Sequence, residues 1–315
     1  MYNMESLAGL LILAAALLLD IAAGEAPNRF HPVAWLGNLI SLLLKIKPIE
    51  GKSRQIIYGV AIVFFTLLII VTPIYFLLNF LQHFNTAIYI IVSAYLLKNT
   101  FSLRGLWQAV QKVKTGLQAA CIKAARDDMR ALVHRDPNQL DDKQMISAAV
   151  ESCAENLCDS FVAPLFYFAI FGLPGAVAYR IVNTFDAMIG YHDEWEYTGK
   201  FAARLDDVLN YIPARFSAIF ILAGSALCKA NASSGWKTML DYHNKTESPN
   251  AGWTMSAMAG SLNIVLEKAG HYRLGNGTQE LTLSSISESQ AIMLTAASLW
   301  GCIVIGKEVL FAAIS

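Results

Sequence analysis

The chain has 315 residues, 55% of them hydrophobic and only 15% charged, where a soluble globular domain carries about 25% charged residues. That deficit argues against an ordinary water-soluble domain and makes lipid part of the solvent. Formal net charge is zero, which argues against nucleic acid as a partner. Cys121, Cys153, Cys158, Cys228 and Cys302 are scattered without C-x-x-C pairing. An odd, dispersed set argues against a disulfide framework or a thiolate metal site.

A membrane-spanning helix needs about 20 apolar residues. The first apolar stretch is 7–23, interrupted near its end by Asp20, and without a basic leader it reads as a retained helix. Residues 56–80 carry no charge and form the least ambiguous span; 84–97 completes a hairpin with it. Residues 102–134 read as one long amphipathic helix. Leu103, Leu106, Val110, Val113, Leu117, Cys121 and Ala124 recur at three- and four-residue steps, and Lys112, Lys114, Lys123, Arg126 and Arg130 add basic charge. Such a helix either lies on an anionic membrane face or packs on the bundle. Residues 161–182 are apolar but broken by Gly172-Leu173-Pro174-Gly175, and 212–228 and 291–314 complete the set. The expected fold is therefore all-α and polytopic. It has five or six membrane segments, one of which reads as a re-entrant pair, plus amphipathic cytoplasmic helices. With no internal repeat or flexible linker, residues 1–315 read as a single membrane-embedded domain.

Lysine and arginine counts orient the spans. There are five in 24–55, nine in 98–160, two in 183–211, five in 229–290 and none in 81–85. Simple alternation of six spans puts the three richer segments in the cytoplasm but leaves 183–211, with its polar residues, on the far side. Two half-helices meeting at the Gly-Leu-Pro-Gly break would return 183–211 to the cytoplasmic face, at the expense of 229–290. The span count stays open between these readings.

Four constellations could carry chemistry. Asp20 is an intramembrane carboxylate, a functional candidate unless it snorkels from its helix end. His31 follows in an extended segment before Pro32. Glu151, Glu155 and Asp159 stand at i, i+4 and i+8, which puts three carboxylates on one helical face. Like charges at that spacing repel, which Mg²⁺ would relieve; a solvated acidic face is the alternative. Asn183 and Asp186 share a face, as do Asp206 and Asn210. Arg204 and Arg215 flank Asp206-Asp207 and suit bidentate phosphate or carboxylate binding, or else internal salt bridges. Ser248-Pro249-Asn250-Ala251-Gly252-Trp253 reads alone as a tight loop. Gly51-Lys52-Ser53 imitates the end of a P-loop, but Ile46 stands where its first glycine belongs and no strand precedes it.

In order along the chain, these blocks resemble the adenosylcobinamide-phosphate synthase (CobD/CbiB) family of cobalamin biosynthesis. The similarity rests on Asp20 with Gly24…His31-Pro32-Val33, Ala149-Val150-Glu151-Ser152…Ala154-Glu155-Asn156…Asp159 and Ala163-Pro164-Leu165-Phe166-Tyr167. It continues through Asn183-Thr184…Asp186…Ile189-Gly190-Tyr191, Asp206-Asp207…Asn210…Ile212-Pro213-Ala214-Arg215 and Ser248 to Trp253. The resemblance implies an ATP-dependent ligase joining adenosylcobyric acid to aminopropanol or its phosphate, with Mg²⁺ and a cytoplasmic active site. It implies Glu151, Glu155, Asp186 and His31 as catalytic groups. Substrate or nucleotide would meet Asn156, Asn183, Arg204, Asn210, Arg215, Asn250 and Trp253, and metal would meet Asp159, Asp206 and Asp207. The partners it implies are the corrinoid, a small amine and membrane lipid, with self-association or contact with other cobalamin-assembly membrane enzymes left open.

The chain departs from the family pattern in four places. Gly24-Glu25-Ala26-Pro27 replaces Gly-Asp-Pro, Ser147 stands near where the family carries arginine, and His192-Asp193-Glu194 replaces Lys-Asn-Glu. A glycine-rich segment containing tyrosine is blurred at Gly270-His271-Tyr272. A non-enzymatic carrier or sensor for a corrinoid or other organic acid is the rival class. Asp20, Arg180, Arg215 and Lys307-Glu308 would suit a substrate path, but a transporter would be expected to show a second broken segment to match Gly172-Gly175.

Overall fold

The computed structural model describes residues 4–25, 29, 31–48, 50–133, 136–190 and 195–314. Four of its helical stretches are long and apolar enough to cross a membrane: Lys52–Phe84, Thr86–Gln118, Asp142–Ile189 and Leu283–Ile314. The broken pair Glu196–Leu209 and Tyr211–Leu227 makes a fifth if counted as one span, while Leu7–Ala23 and Pro32–Leu44 are shorter apolar helices. This is an all-α polytopic membrane protein, and its backbone clusters into two compact units.

Unit 1 comprises Met1–Ser102, Ala163–Leu209 and Ile303–Ser315. It contains α1 (Met4–Ala23), α2 (Pro32–Leu44), α3 (Lys52–Phe84), α4 (Thr86–Lys98), α8 (Ala163–Ile189) and α9 (Glu196–Leu209). Helix α1 buries Ala8, Ile12, Leu13, Ala16 and Asp20, a stripe with the helical period, and packs it on α4. Its opposite side exposes Leu11, Leu18 and Ile21, and α3 exposes Phe64, Leu68, Tyr75, Phe76 and Phe80. An apolar face of that extent suits hydrocarbon rather than water. Gly59 brings α3 against α9, because a Cβ there would meet the Thr198 carbonyl oxygen. Asn85 ends α3, and its side chain accepts the Ile88 N–H to start α4. Gly172, at φ 66° and ψ −163°, kinks α8 where the Gly-Leu-Pro-Gly break was expected. Segment 183–211, expected as an interhelical polar stretch, holds the end of α8 and the whole of α9, which packs on α3 and α8. His192, Asp193 and Glu194 lie outside the described residues.

Unit 2 comprises Leu103–Val162 and Asn210–Cys302. It contains α5 (Leu103–Gln118), α6 (Ile122–Met129), α7 (Asp142–Leu157), α10 (Tyr211–Leu227), α11 (Ala232–Tyr242), α12 (Ala251–Ser261) and most of α13 (Leu283–Ile314). Its core is α12, buried from Thr254 to Ser261 and packed on α7, α10 and α11. Small residues along α12 allow that close approach: a Cβ on Gly260 would lie 2.5 Å from Thr238. A hairpin of β1 (Leu266–Lys268) and β2 (Tyr272–Leu274) pairs Leu266 with Leu274 and Lys268 with Tyr272, and sits on α7 and α12.

The single helix expected over 102–134 is two. Helix α5 ends in a Schellman motif, in which Cys121 N–H donates to Gly116 O (2.9 Å) and Ala120 N–H to Leu117 O (3.0 Å), with Ala120 left-handed at φ 52°. The break resets the register. Leu106, Val110 and Val113 are buried as expected, but beyond it Ala125 and Met129 point inward instead of Cys121 and Ala124. Because α5 packs on α6 and α7, its apolar stripe serves the bundle rather than a membrane face.

Candidate functional site

Three blocks distant in sequence converge in unit 2. Helix α10 starts at Tyr211, with Asn210 buried at its N-cap. Pro213 falls in the first turn, where its missing N–H costs nothing. One turn in, the Arg215 side chain leans back along the helix. Its Nη1 donates to Tyr211 O and to Asn250 Oδ1, both at 2.7 Å, and its Nη2 donates to Pro249 O at 3.4 Å. The guanidinium carbon lies 3.7 Å from the Tyr211 ring centroid and 4.8 Å from that of Trp253. Trp253 in turn packs on His243, with centroids 4.1 Å apart. Glycine at 252 makes this possible, since a Cβ would strike the His243 carbonyl. From the third block, Cys158 Sγ donates to Asn210 Oδ1 at 3.7 Å. Asn210, Arg215, Asn250 and Trp253, four expected site residues, thus stand in one place, joined by Cys158 and Tyr211, which had no expected role.

A second focus in unit 2 is Glu151, 6% exposed on α7. Its Oε1 accepts from Ser147 Oγ (2.7 Å) and its Oε2 from the Tyr272 hydroxyl (2.8 Å). Ser147 Oγ also accepts the Glu267 N–H at 3.1 Å, so the β-hairpin is fastened to the carboxylate at two points. This buried, bonded carboxylate is no part of a solvated face. Glu155 and Asn156 are half-buried on α7, and Asn156 Nδ2 donates to Ser152 O. Asp159 lies beyond α7 in a five-residue π-turn, Cys158–Val162, which interrupts the regular i, i+4, i+8 run; such turns recur at functional sites.

In unit 1, Arg180 Nη1 donates to Asn183 Oδ1 (3.1 Å), and Asn183 Nδ2 to Asp206 Oδ1 (3.4 Å), joining α8 to α9. Asp206 is buried, Asp207 half-buried and Arg204 exposed. Asp186 is half-buried, and its backbone carbonyl accepts the Gly190 N–H at 2.7 Å. A separate charged group lies where α1, α2 and α4 end or begin. Lys98, 5% exposed, approaches Asp20 Oδ1 at 3.2 Å and donates to Glu25 Oε1 at 3.0 Å. Asp20 is itself 3% exposed, so it is an internal ion-pair member and not a snorkelling one. Glu25 Oε2 lies 2.6 Å from His31 Nε2, while His31 Nδ1 accepts the Val33 N–H at 3.2 Å. The Nδ1 bond makes Nε2 the protonated nitrogen, which donates to Glu25. Both ring nitrogens of His31 are therefore engaged. Burial raises the Glu25 pKa, but His31, Ser102 and Lys98 together outweigh it and lower the pKa to about 2.

Lys98 drew no notice in the sequence, and Ser147 and Tyr272 stood out there only as departures from the family pattern. A lysine ending an apolar helix looks like any snorkelling lysine, and nothing local links Tyr272 to Glu151. Ser147, four residues before Glu151, did carry a helical-spacing signal. Among the described residues, no group of three or more His, Cys, Asp or Glu side chains is placed to hold a metal ion.

Fold and sites define a polytopic helical membrane protein with buried, hydrogen-bonded carboxylates and an arginine set between aromatic rings. The family model described as CobD/Cbib protein matches residues 13–299. Cobalamin biosynthesis protein CobD of Dehalococcoides mccartyi is 47% identical over 297 residues, 94% of this chain and 96% of that protein. Probable cobalamin biosynthesis proteins CobD of Methanothermobacter thermautotrophicus and Methanococcus aeolicus are 40% and 38% identical. They cover 84% and 89% of this chain, and 86% and 91% of their own lengths. No solved structure matches. The chain belongs to the CobD/CbiB family.

Proposed function

We propose that this protein is an acid–amine ligase of cobalamin biosynthesis. It uses ATP to join the carboxylate of adenosylcobyric acid to (R)-1-aminopropan-2-ol or its O-phosphate, at a site on the cytoplasmic face of the membrane. Family membership across 13–299 carries the reading. The two foci of unit 2 add groups of the right chemistry. Arg215, flanked by rings and fixed by Asn250, suits an oxyanion. Glu151 is a carboxylate held by two hydroxyl donors and suits a base that accepts the amine's proton.

Magnesium bound to ATP needs only one or two protein carboxylates. Asp206, steadied by Asn183, and its neighbour Asp207 fit that need; a larger protein cage is not required. When bound, the ion would neutralise phosphate charge. A carrier for the corrinoid or another organic acid is the competing reading, favoured by one observation: the helix break at Asn210 gives the Gly172 kink a counterpart.

Purified protein supplied with adenosylcobyric acid, ATP and each amine in turn separates the two. The ligase reading expects ADP and amide product in equal amounts, dependent on both substrates, and complementation of a cobalamin-producing host lacking its own synthase. Folded, membrane-inserted protein that forms no product with any amine would favour the carrier.

A further inference from the structure

Arg215 has five N–H groups, and the hydrogen bonds of its site account for three. Both Nη1 hydrogens are taken, by Tyr211 O and Asn250 Oδ1, and one Nη2 hydrogen goes to Pro249 O. What remains is Nε–H and the second Nη2–H. Those two lie parallel on the side edge of the guanidinium, the edge that grips two oxygens of one anion at once. No carboxylate is paired with Arg215 among the described residues, and its Nε is not among the buried nitrogens lacking a partner. The edge is therefore open as well as unused. It is also rigid: Tyr211 and Trp253 lie against the guanidinium, and Asn250, 6% exposed, anchors the opposite edge. The indole N–H of Trp253 is buried and has no partner among the described residues.

We propose that the Nε–Nη2 edge of Arg215, held between Tyr211 and Trp253, is a bidentate binding site for an organic oxyanion, a carboxylate or a phosphate monoester. Tyr211 is 57% exposed and Ile212 52%, so apolar surface adjoins the edge and favours an anion carried on an apolar body. Two sources share this chemistry: a water-borne organic acid or phosphate ester, and the phosphate of an anionic lipid. The site is the one used by the ligase reading, and the proposal rests on that reading only for the idea that its occupant is a substrate group.

The test uses full-length protein in phosphatidylcholine nanodiscs and saturation-transfer NMR with benzoate, phenyl phosphate and, as the uncharged control, benzyl alcohol. At least one of the two anions should bind saturably and the alcohol should not. Arg215→Lys keeps the charge but loses the two-pronged edge, and should weaken binding about tenfold. Asn250→Asp preserves side-chain shape and gives the guanidinium an internal counter-ion, so it should weaken binding at least as much while leaving thermal unfolding unchanged. It also decides the matter if the lysine variant fails to fold. Repeating the titration in nanodiscs containing phosphatidylglycerol identifies the source: about tenfold weaker apparent affinity marks a lipid headgroup as competitor, and unchanged affinity marks a water-borne anion. Either result supports the site. Absence of anion binding, equal binding of the alcohol, or binding indifferent to both substitutions would overturn it. Loss of binding in both variants of a protein that forms no amide would sink the ligase reading and leave the site standing. Retained binding in both variants of an active ligase would do the reverse.

Discussion

The Glu25 carboxylate is shared, with one oxygen on Lys98 and the other on His31. Lys98 is paired with both Asp20 and Glu25. Removing one member of a buried pair leaves the other uncompensated, which costs about 3–5 kcal/mol. Lys98→Met should therefore lower stability by about that much in detergent unfolding. Adding Asp20→Asn should recover part of the loss, because the stranded charge is then gone. Glu25 supplies a pH signature. Its pKa falls from 4.5 to about 2 on folding, so its contribution is complete above 4.5 and vanishes as pH drops through 2. The carboxylate is about a third exposed, so solvent screening keeps the effect small. Thermal unfolding from pH 5 to pH 2 should show a shallower decline for Glu25→Gln than for wild type, and identical slopes would sink the assignment. Asp20 was legible as an anomaly because carboxylates are rare in apolar helices. Its partner was not, since a lysine at a helix end is common.

At the scale of elements, most helices were legible because lipid-facing runs have no polar interruptions; 56–80 lies wholly inside α3. The glycine-proline break was legible for a related reason: Gly172 takes a positive φ that side chains resist. The split between α5 and α6 was hidden, because Ala120 holds a left-handed position normally filled by glycine. That mismatch makes a prediction of unusual sign. Ala120→Gly should raise stability by roughly 0.5–1 kcal/mol, since relief of strain at a left-handed cap exceeds the added freedom of the unfolded chain. A fall in denaturation midpoint would show that the turn is not strained. Gly59 predicts the opposite. A Cβ there meets backbone of α9 rather than a movable side chain, so Gly59→Ala should cost about 1–3 kcal/mol by overpacking, measured by the same unfolding assay. The four-residue convergence on Arg215 was legible as conspicuous blocks, but not as one place. Contacts between residues dozens of positions apart leave no periodic trace.

For the molecule as a whole, the open question is which polar segments share a side of the membrane. Charge counting pulled two ways on 183–211, and unit 1 now ties that segment to 45–52. Lys47 Nζ sits 3.5 Å over the Trp195 ring and Lys52 Nζ 5.0 Å over that of Tyr197. Segments packed together at the start of α3 lie at one membrane face, whichever face that is. Basic and aromatic residues at the foot of a long apolar helix are what the cytoplasmic interface favours. We therefore predict that 24–55 and 183–211 are both cytoplasmic, and that 98–160, with nine Lys and Arg, joins them. Within α9, Thr198 is 1% exposed whereas Lys200 is exposed, so a thiol at 200 reports sidedness. In a background lacking the five native cysteines, Ser53→Cys, Gln139→Cys and Lys200→Cys place single thiols at exposed sites. An impermeant maleimide should label all three in inverted vesicles and none in intact cells. Opposite labelling of the Ser53 and Lys200 sites would contradict the packing of α9 on α3. Opposite labelling of Gln139 alone would take 98–160, and with it Glu151, away from the cytoplasm and from soluble ATP.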